Sequence, residues 1–134
     1  DHSVADLGYA HALCDLLVRK LRFRAALLEG YAARDLAALT RLAEEEIPGI
    51  QAAVEVLQNA FRRQWLRRNK PFGMEVIQVR LGALQVRYAE TARRLRELAA
   101  GSIDAIEELD AARDDLGPHP VGFFDWLITG CNRV

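Results

Sequence analysis

Residues 74–98 read MEVIQVRLGALQVRYAETARRLREL, and their apolar positions recur at steps of three and four. This spacing places one apolar stripe along a single helix. We therefore predict a helix about 40 Å long at the α-helical rise, with Gly101 as its C-cap. The stripe consists of Met74, Ile77, Leu81, Leu84, Tyr88, Thr91, Leu95 and Leu98.

A second long helix is predicted directly before it. Pro48 suits the first turn of a helix. Pro71 disfavours helical backbone at the preceding residue, and Gly73 permits a reversal, so this helix should stop near Asn69. Its apolar positions are Ile50, Val54, Leu57, Phe61 and Trp65.

The N-terminal part of the chain predicts another long helix, from Val4 to Gly30 or just beyond, with Ser3 as its cap. A shorter segment follows the potential cap Asp35 and ends at Glu44–Glu46, before Pro48. The sequence leaves open whether that segment is separate from the first helix. The apolar stripe predicted for the first helix is Leu7, Ala10, Cys14, Leu17, Leu21, Ala25, Leu28 and Ala32.

After Gly101 the sequence predicts a short fifth helix, capped by Ser102 and containing Ile103, Ile106 and Leu109. Helical periodicity ends at Gly117. Residues 117–134 are predicted to be a docking tail, because so much aromatic area rarely stays in water. We expect an inter-domain surface formed by Phe123, Phe124 and Trp126.

These segments predict one all-α domain over residues 1–134: a bundle of three to four long antiparallel helices with a short extra helix and an aromatic C-terminal tail. The 134 residues are 51% hydrophobic and 28% charged, with a net charge of -1. Disordered, collagen-like and nucleic-acid-coating proteins are thereby excluded. No apolar run approaches the roughly 20 residues of a membrane-spanning helix, so no membrane partner is predicted.

The N-terminus shows neither an initiator methionine nor a signal pattern, which predicts a piece of a longer polypeptide. Two cysteines are too few for a disulfide framework and favour the cytoplasm. A single bridge between Cys14 and Cys131 stays open. Cys14 is otherwise interpreted as a small buried hydrophobe.

Catalytic and metal-binding constellations are not predicted. His2, His11 and Cys14 lack a second ligand pair with a metal-binding spacing. The acidic runs Glu44–Glu46 and Asp104–Asp115 have no neighbouring histidine base. We therefore predict no catalytic residue, no metal and no cofactor within this chain.

Five cations and no acid lie in the segment Arg62–Lys70. They come at a predicted helix C-terminus, where the helix dipole favours positive charge. With a net charge of -1 and no second basic stretch, we predict no nucleic-acid partner. Their expected partners are the acidic segment of the bundle or carboxylates on an adjoining domain.

The connection Asn69–Gly73 combines an amide, an ammonium, a rigid proline, an aromatic ring and a glycine. Two interpretations remain open. The connection either lies against a partner or lines a ligand cleft, or it is a tight αα-hairpin turn with Phe72 folded onto the bundle.

The run Trp65–Val76, continued by Arg80–Leu84, resembles the helical C-terminal domain of bacterial β-N-acetylhexosaminidases of glycoside hydrolase family 20. The usual form there is close to Trp-x-x-Glu-Asn-Lys-Pro-x-Gly-x-Glu-Val, then Arg-Leu-Gly-Gly-Leu. Arg68 stands where an acid is expected, and Ala83 replaces the second glycine. The leucine-rich first helix and Gly101–Leu109 extend the resemblance over most of the chain.

The resemblance implies that the chemistry belongs to an upstream TIM barrel, where an adjacent Asp-Glu pair works with the substrate's acetamido group. This chain contains no Asp-Glu dipeptide. It would then be an accessory domain that braces the barrel of the same polypeptide, with a subunit contact that would make a homodimer. Candidate interface or cleft-lining residues are Trp65, Asn69, Lys70, Pro71, Phe72, Gly73, Glu75 and Arg80.

The alternative is a free-standing helical module that binds a partner protein through the aromatic residues of the tail. A parent gene without an upstream barrel would favour this second interpretation.

Overall fold

The computed structural model describes residues 2–110 of the chain and the side chains of residues 7–110. Helices form all of its regular structure in this part, which confirms the all-α bundle. The tail predicted at 117–134 lies outside the described residues. The elements are α1 (His2–Ala32), α2 (Leu36–Arg41), a π-helical turn (Leu42–Glu46), α3 (Ile47–Arg68), α4 (Met74–Ala99) and α5 (Glu107–Asp110).

The long helix α3 lies between α1 and α4 and packs against both. The ring of Tyr9, early in α1, contacts Phe61, late in α3, so these two helices are antiparallel. Gln51, near the start of α3, and Gln85, near the middle of α4, each donate a side-chain hydrogen bond to the other's backbone carbonyl, at 3.2 and 2.8 Å. Pairing of these amides lets polar groups lie between the two helices without losing hydrogen bonds.

The apolar stripes predicted for α3 and α4 are confirmed. Ile50, Val54 and Leu57 are buried, with Phe61 beside them. In α4 the stripe is buried at Tyr88, Leu95 and Leu98 and only partly buried nearer Met74. The first half of α4 is therefore covered less completely than the second.

The stripe predicted for α1 is wrong. Leu7 and Leu21 are each 68% exposed, and Cys14, interpreted from the sequence as buried, is exposed as well. A different set of α1 residues faces the core: Ala12, Leu16, Phe23, Leu27 and Tyr31. Because α1 is apolar on most of its circumference, two stripes share the helical spacing, and the packing against α3 selects the one that contains the large rings.

The turn between α1 and α2 separates the two helices. Arg34 has a positive φ of 52°, and the Asp35 carboxylate accepts a hydrogen bond from the Ala38 backbone N–H at 3.0 Å. This confirms Asp35 as the cap of α2. At the N-terminal end of α1, Ser3 already lies within the helix, so it is not the cap.

The predicted break before Pro48 is absent. The π-helical turn joins α2 to α3, and the Ile47 backbone N–H donates to the carbonyl of Leu42, five residues earlier. In a regular α-helix the Pro48 ring would clash with the carbonyl four residues before it, and the wider turn relieves that clash. Leu42 and Ile47 both face the core as a result.

The fifth helix begins at Glu107, later than predicted. Gly101 has a φ of 71°, and the Ser102 backbone N–H donates to the backbone carbonyl of Glu97. These two residues therefore terminate α4 and do not begin α5. Tyr31 fixes the start of α5: its hydroxyl accepts from the Ile106 N–H at 2.9 Å and donates to the Asp110 carboxylate at 3.0 Å.

Among residues 2–110, no helix combines the length and the hydropathy that crossing a lipid bilayer requires.

Tyr88→Phe tests the packing of the core. The Tyr88 ring meets Phe23 edge-on at 5.6 Å, and its buried hydroxyl has no hydrogen-bond partner among the described residues. Removing that hydroxyl should raise the free energy of unfolding at neutral pH by about 1 kcal/mol, as measured by urea denaturation. A lower free energy of unfolding in the variant would contradict this account of the core.

The same variant should lose part of the alkaline pH dependence of stability. Burial raises the pKa of Tyr88 to about 12, against 10.0 for an ordinary tyrosine. Between these two values the unfolded chain releases the proton more readily, so the parent loses stability as the pH rises through this window. The difference in unfolding free energy between variant and parent should therefore grow from pH 10 towards pH 12. A difference that stays constant would contradict the shift.

Candidate functional site

Trp65 organises the turn between α3 and α4. Its indole N–H donates to the Lys70 carbonyl at 2.8 Å, and its own carbonyl accepts the Asn69 backbone N–H at 2.8 Å. The ring also contacts Phe61, with centroids 5.5 Å apart. One side chain therefore links the end of α3, the turn and the apolar interior.

Gly73 completes the turn with a φ of 88°, a left-handed conformation that glycine adopts without strain. A Cβ at this position would lie 3.5 Å from the Trp65 ring, which is ordinary contact. Pro71 contributes its carbonyl, which accepts the Met74 N–H at 3.2 Å. Of the predicted site residues, the structure thus joins Trp65, Asn69, Pro71 and Gly73 in one tight hairpin turn.

The other predicted residues face solvent. Phe72 is 85% exposed, so the interpretation that its ring folds onto the bundle is wrong. Lys70, Glu75 and Arg80 are exposed, and none of their side chains has an ion-pair partner among residues 7–110. The turn itself is a stable hairpin, yet its aromatic ring and its ammonium group point away from the bundle's core.

Two exposed valines on α4 extend the apolar surface of Phe72. Val76 and Val79 follow at helical spacing and are 53% and 69% exposed. Sequence analysis missed these two valines, although both lie in the predicted helix at positions outside its apolar stripe, where an apolar residue would be exposed. Three exposed apolar side chains, Phe72, Val76 and Val79, thus lie at this end of the bundle, close in the chain to the exposed Lys70 and Arg80, and we call these three residues the Phe72 patch.

The groove beside this patch runs between α3 and α4 and contains no carboxylate. It is lined by Gln58, Asn59, Phe61, Arg62, Gln78 and Leu81. Amide groups and one guanidinium can donate hydrogen bonds, but an acid–base pair is missing from the lining.

Two acidic side chains near the C-terminal end of α4 form ion pairs there, and the acidic segment is also held through a backbone carbonyl. Glu108 lies 3.9 Å from Arg94, and the Arg34 side chain donates to the Asp104 carbonyl at 2.8 Å. Glu44 pairs with Arg96 at 2.9 Å. These contacts lie far from Arg62–Lys70, at the opposite end of the 26-residue helix α4.

Within the part of the chain whose side chains are described, no three or more His, Cys, Asp or Glu residues gather closely enough to hold a metal ion.

The family model of the glycoside hydrolase 20C C-terminal domain matches residues 4–118, and the chain belongs to that family. No curated protein and no solved structure matches the chain.

Two single glycine-to-alanine variants should distinguish a glycine that the turn requires from a glycine that the helix merely tolerates. Gly73→Ala should lower the free energy of unfolding by about 1 kcal/mol, because an L-residue is strained at this positive φ. The control Gly82→Ala lies within α4 with open space around its Cβ. It should raise stability by about 1 kcal/mol through helix propensity. Thermal denaturation of the parent and the two variants measures both changes in stability. A Gly73→Ala variant as stable as the parent would contradict the left-handed turn.

Proposed function

We propose that this chain is the non-catalytic C-terminal domain of a bacterial, cytoplasmic β-N-acetylhexosaminidase that removes terminal N-acetylhexosamine residues. Membership of the glycoside hydrolase 20C C-terminal family supports an enzyme of this kind. The catalytic work would fall to a TIM barrel earlier in the same polypeptide, which holds the Asp-Glu pair that assists the substrate's acetamido group. Family membership favours this proposal over a free-standing interaction module.

Three of the described carboxylates have structural roles. Asp35 caps α2, Asp110 holds Tyr31, and Glu44 binds Arg96 across two elements. Glycosidic cleavage needs an acid and a second group on opposite sides of the scissile bond. These three carboxylates instead hold a helix cap, a tyrosine hydroxyl and an arginine.

The exposed ring of Phe72 is the observation that carries the proposal of a bracing role. A phenylalanine that is 85% exposed on a tight turn contributes nothing to the fold of its own domain. Packing this ring against another surface would remove its apolar area from water. The contact would be stabilised by roughly 25 cal/mol per Å² of apolar area covered. We assign Phe72, Lys70 and the adjacent α4 residues Glu75 and Arg80 to a contact with the catalytic domain near its sugar-binding end, and a subunit contact would use the same kind of surface.

Truncation of the full-length enzyme tests whether catalysis belongs to the preceding domain and stabilisation to this one. The isolated chain should release no chromophore from an aryl N-acetylglucosaminide, since it lacks the acid pair. The enzyme truncated before this domain should keep its catalytic residues but melt at a lower temperature, by differential scanning calorimetry. Turnover by the isolated chain, or a truncated enzyme as stable as the parent, would contradict the proposal.

Lys70→Ala and Phe72→Ala should discriminate between a contact surface and a plain turn. Both side chains are exposed, so neither change should alter the unfolding of the isolated chain by more than about 0.5 kcal/mol. In the full-length enzyme both should lower the melting temperature or raise KM. Glu55→Ala, at an exposed position on α3 away from the turn, is the control. Unchanged kinetics, stability and oligomeric state would leave the turn with a structural role alone.

A further inference from the structure

An uncharged apolar stripe runs along the side of α1 that faces away from α3. It contains Leu7, Ala10, Cys14, Leu17, Leu21 and Ala25, all of which are exposed. We call these six residues the outer stripe. It spans about 27 Å at the α-helical rise and lies about 140° around the helix from the buried stripe.

The rest of α1 makes this stripe unusual for a solvent-facing surface. Asp15, Arg19, Arg22 and Glu29 share one side of the helix, where Asp15 and Arg19 pair at 2.8 Å, and Arg24 borders the outer stripe on the opposite side. The outer stripe has no charged residue, and Val18 beside it is 45% exposed. A helix that is apolar around most of its circumference is normally covered on more than one side.

The surroundings of the outer stripe indicate what covers it. The stripe begins at Leu7, three residues after the start of the match to a C-terminal enzyme domain at residue 4. In such an enzyme the preceding catalytic domain is joined covalently at this end of α1. Covalent attachment gives a second apolar surface a high effective concentration at the stripe.

The exposed hairpin lies at this same end of the bundle. Tyr9 contacts Phe61 and Phe61 contacts Trp65, which in turn holds the turn that carries Phe72. The start of the outer stripe and the exposed Phe72 patch therefore both lie where the catalytic domain would enter. At the far end of α1, Tyr31 instead fastens α5.

We infer that the outer stripe is the surface on which the catalytic domain of the same polypeptide packs, through a complementary apolar surface of that domain. This inference rests on the proposed function. It extends the contact with the catalytic domain from the α3–α4 turn to α1, whose outer side chains the bundle leaves uncovered, and it makes Cys14 a reporter at the middle of the interface.

Cys14 modification by a maleimide tests the inference, with the tryptic peptide that contains Cys14 quantified by mass spectrometry. A Cys131→Ser background removes the chain's other thiol. Cys14 should react rapidly in the isolated chain and about tenfold or more slowly in the full-length enzyme. Equal rates in both proteins would overturn the inference.

Two other occupants give different outcomes, and each would overturn the inference. Protection in the isolated chain that disappears on deletion of residues 111–134 would show that the C-terminal segment covers the stripe. Protection that increases with the concentration of the isolated chain would show that a second copy does.

Leu21→Glu supplies an independent readout, with Val56→Glu on α3 as the matched control at an exposed apolar position. In the full-length enzyme Leu21→Glu should restore rapid Cys14 modification, whereas Val56→Glu should leave Cys14 protected. If truncation destabilises the enzyme while Cys14 stays reactive, the proposed function stands and this inference fails. If the isolated chain hydrolyses substrate, the proposed function fails whatever Cys14 does.

Discussion

Burial of α3 on two sides is the constraint on which the rest of this domain depends. One helix must offer an apolar surface to α1 and another to α4, and its residues Ile50, Val54 and Leu57 are almost entirely removed from water. Helix α1 packs mainly against α3, whereas α4 packs against α3 and also against α2 and the π-helical turn. The connections at either end follow from this arrangement: the π-helical turn directs α2 into α3, and the Trp65-centred turn returns the chain along α4.

Sequence reasoning predicted the elements whose apolar residues form one stripe. The stripes of α3 and α4 are each bounded by charged positions, so their spacing identifies the buried side. Periodicity could not identify the buried side of α1, because Leu7, Leu17 and Leu21 satisfy the helical repeat as well as Leu16, Phe23 and Leu27 do. Tertiary packing decided between them. The late start of α5 also depends on a contact distant in sequence, the hydrogen bond from the Ile106 N–H to the Tyr31 hydroxyl.

The turn was partly predictable for a related reason. Proline and glycine at 71 and 73 restrict the backbone locally, so a reversal could be deduced from the residues themselves. The direction of Phe72 could not, because an aromatic residue in a turn can fold inwards or remain outside at nearly the same backbone geometry. The role of Trp65 as an anchor follows from an indole N–H that reaches a carbonyl five residues away, which no spacing rule specifies.

The five-residue turn Leu42–Glu46 also bears on how this domain tolerates changes in chain length. A π turn holds one residue more than the α-helical turn that it replaces. Deleting one of its three consecutive glutamates would bring Leu42 and Ile47 four apart, which is the spacing of neighbours on one side of an α-helix. Homologous domains one residue shorter at this point could thus preserve the register of every buried side chain on both flanks, with the cost confined to crowding at the proline that follows.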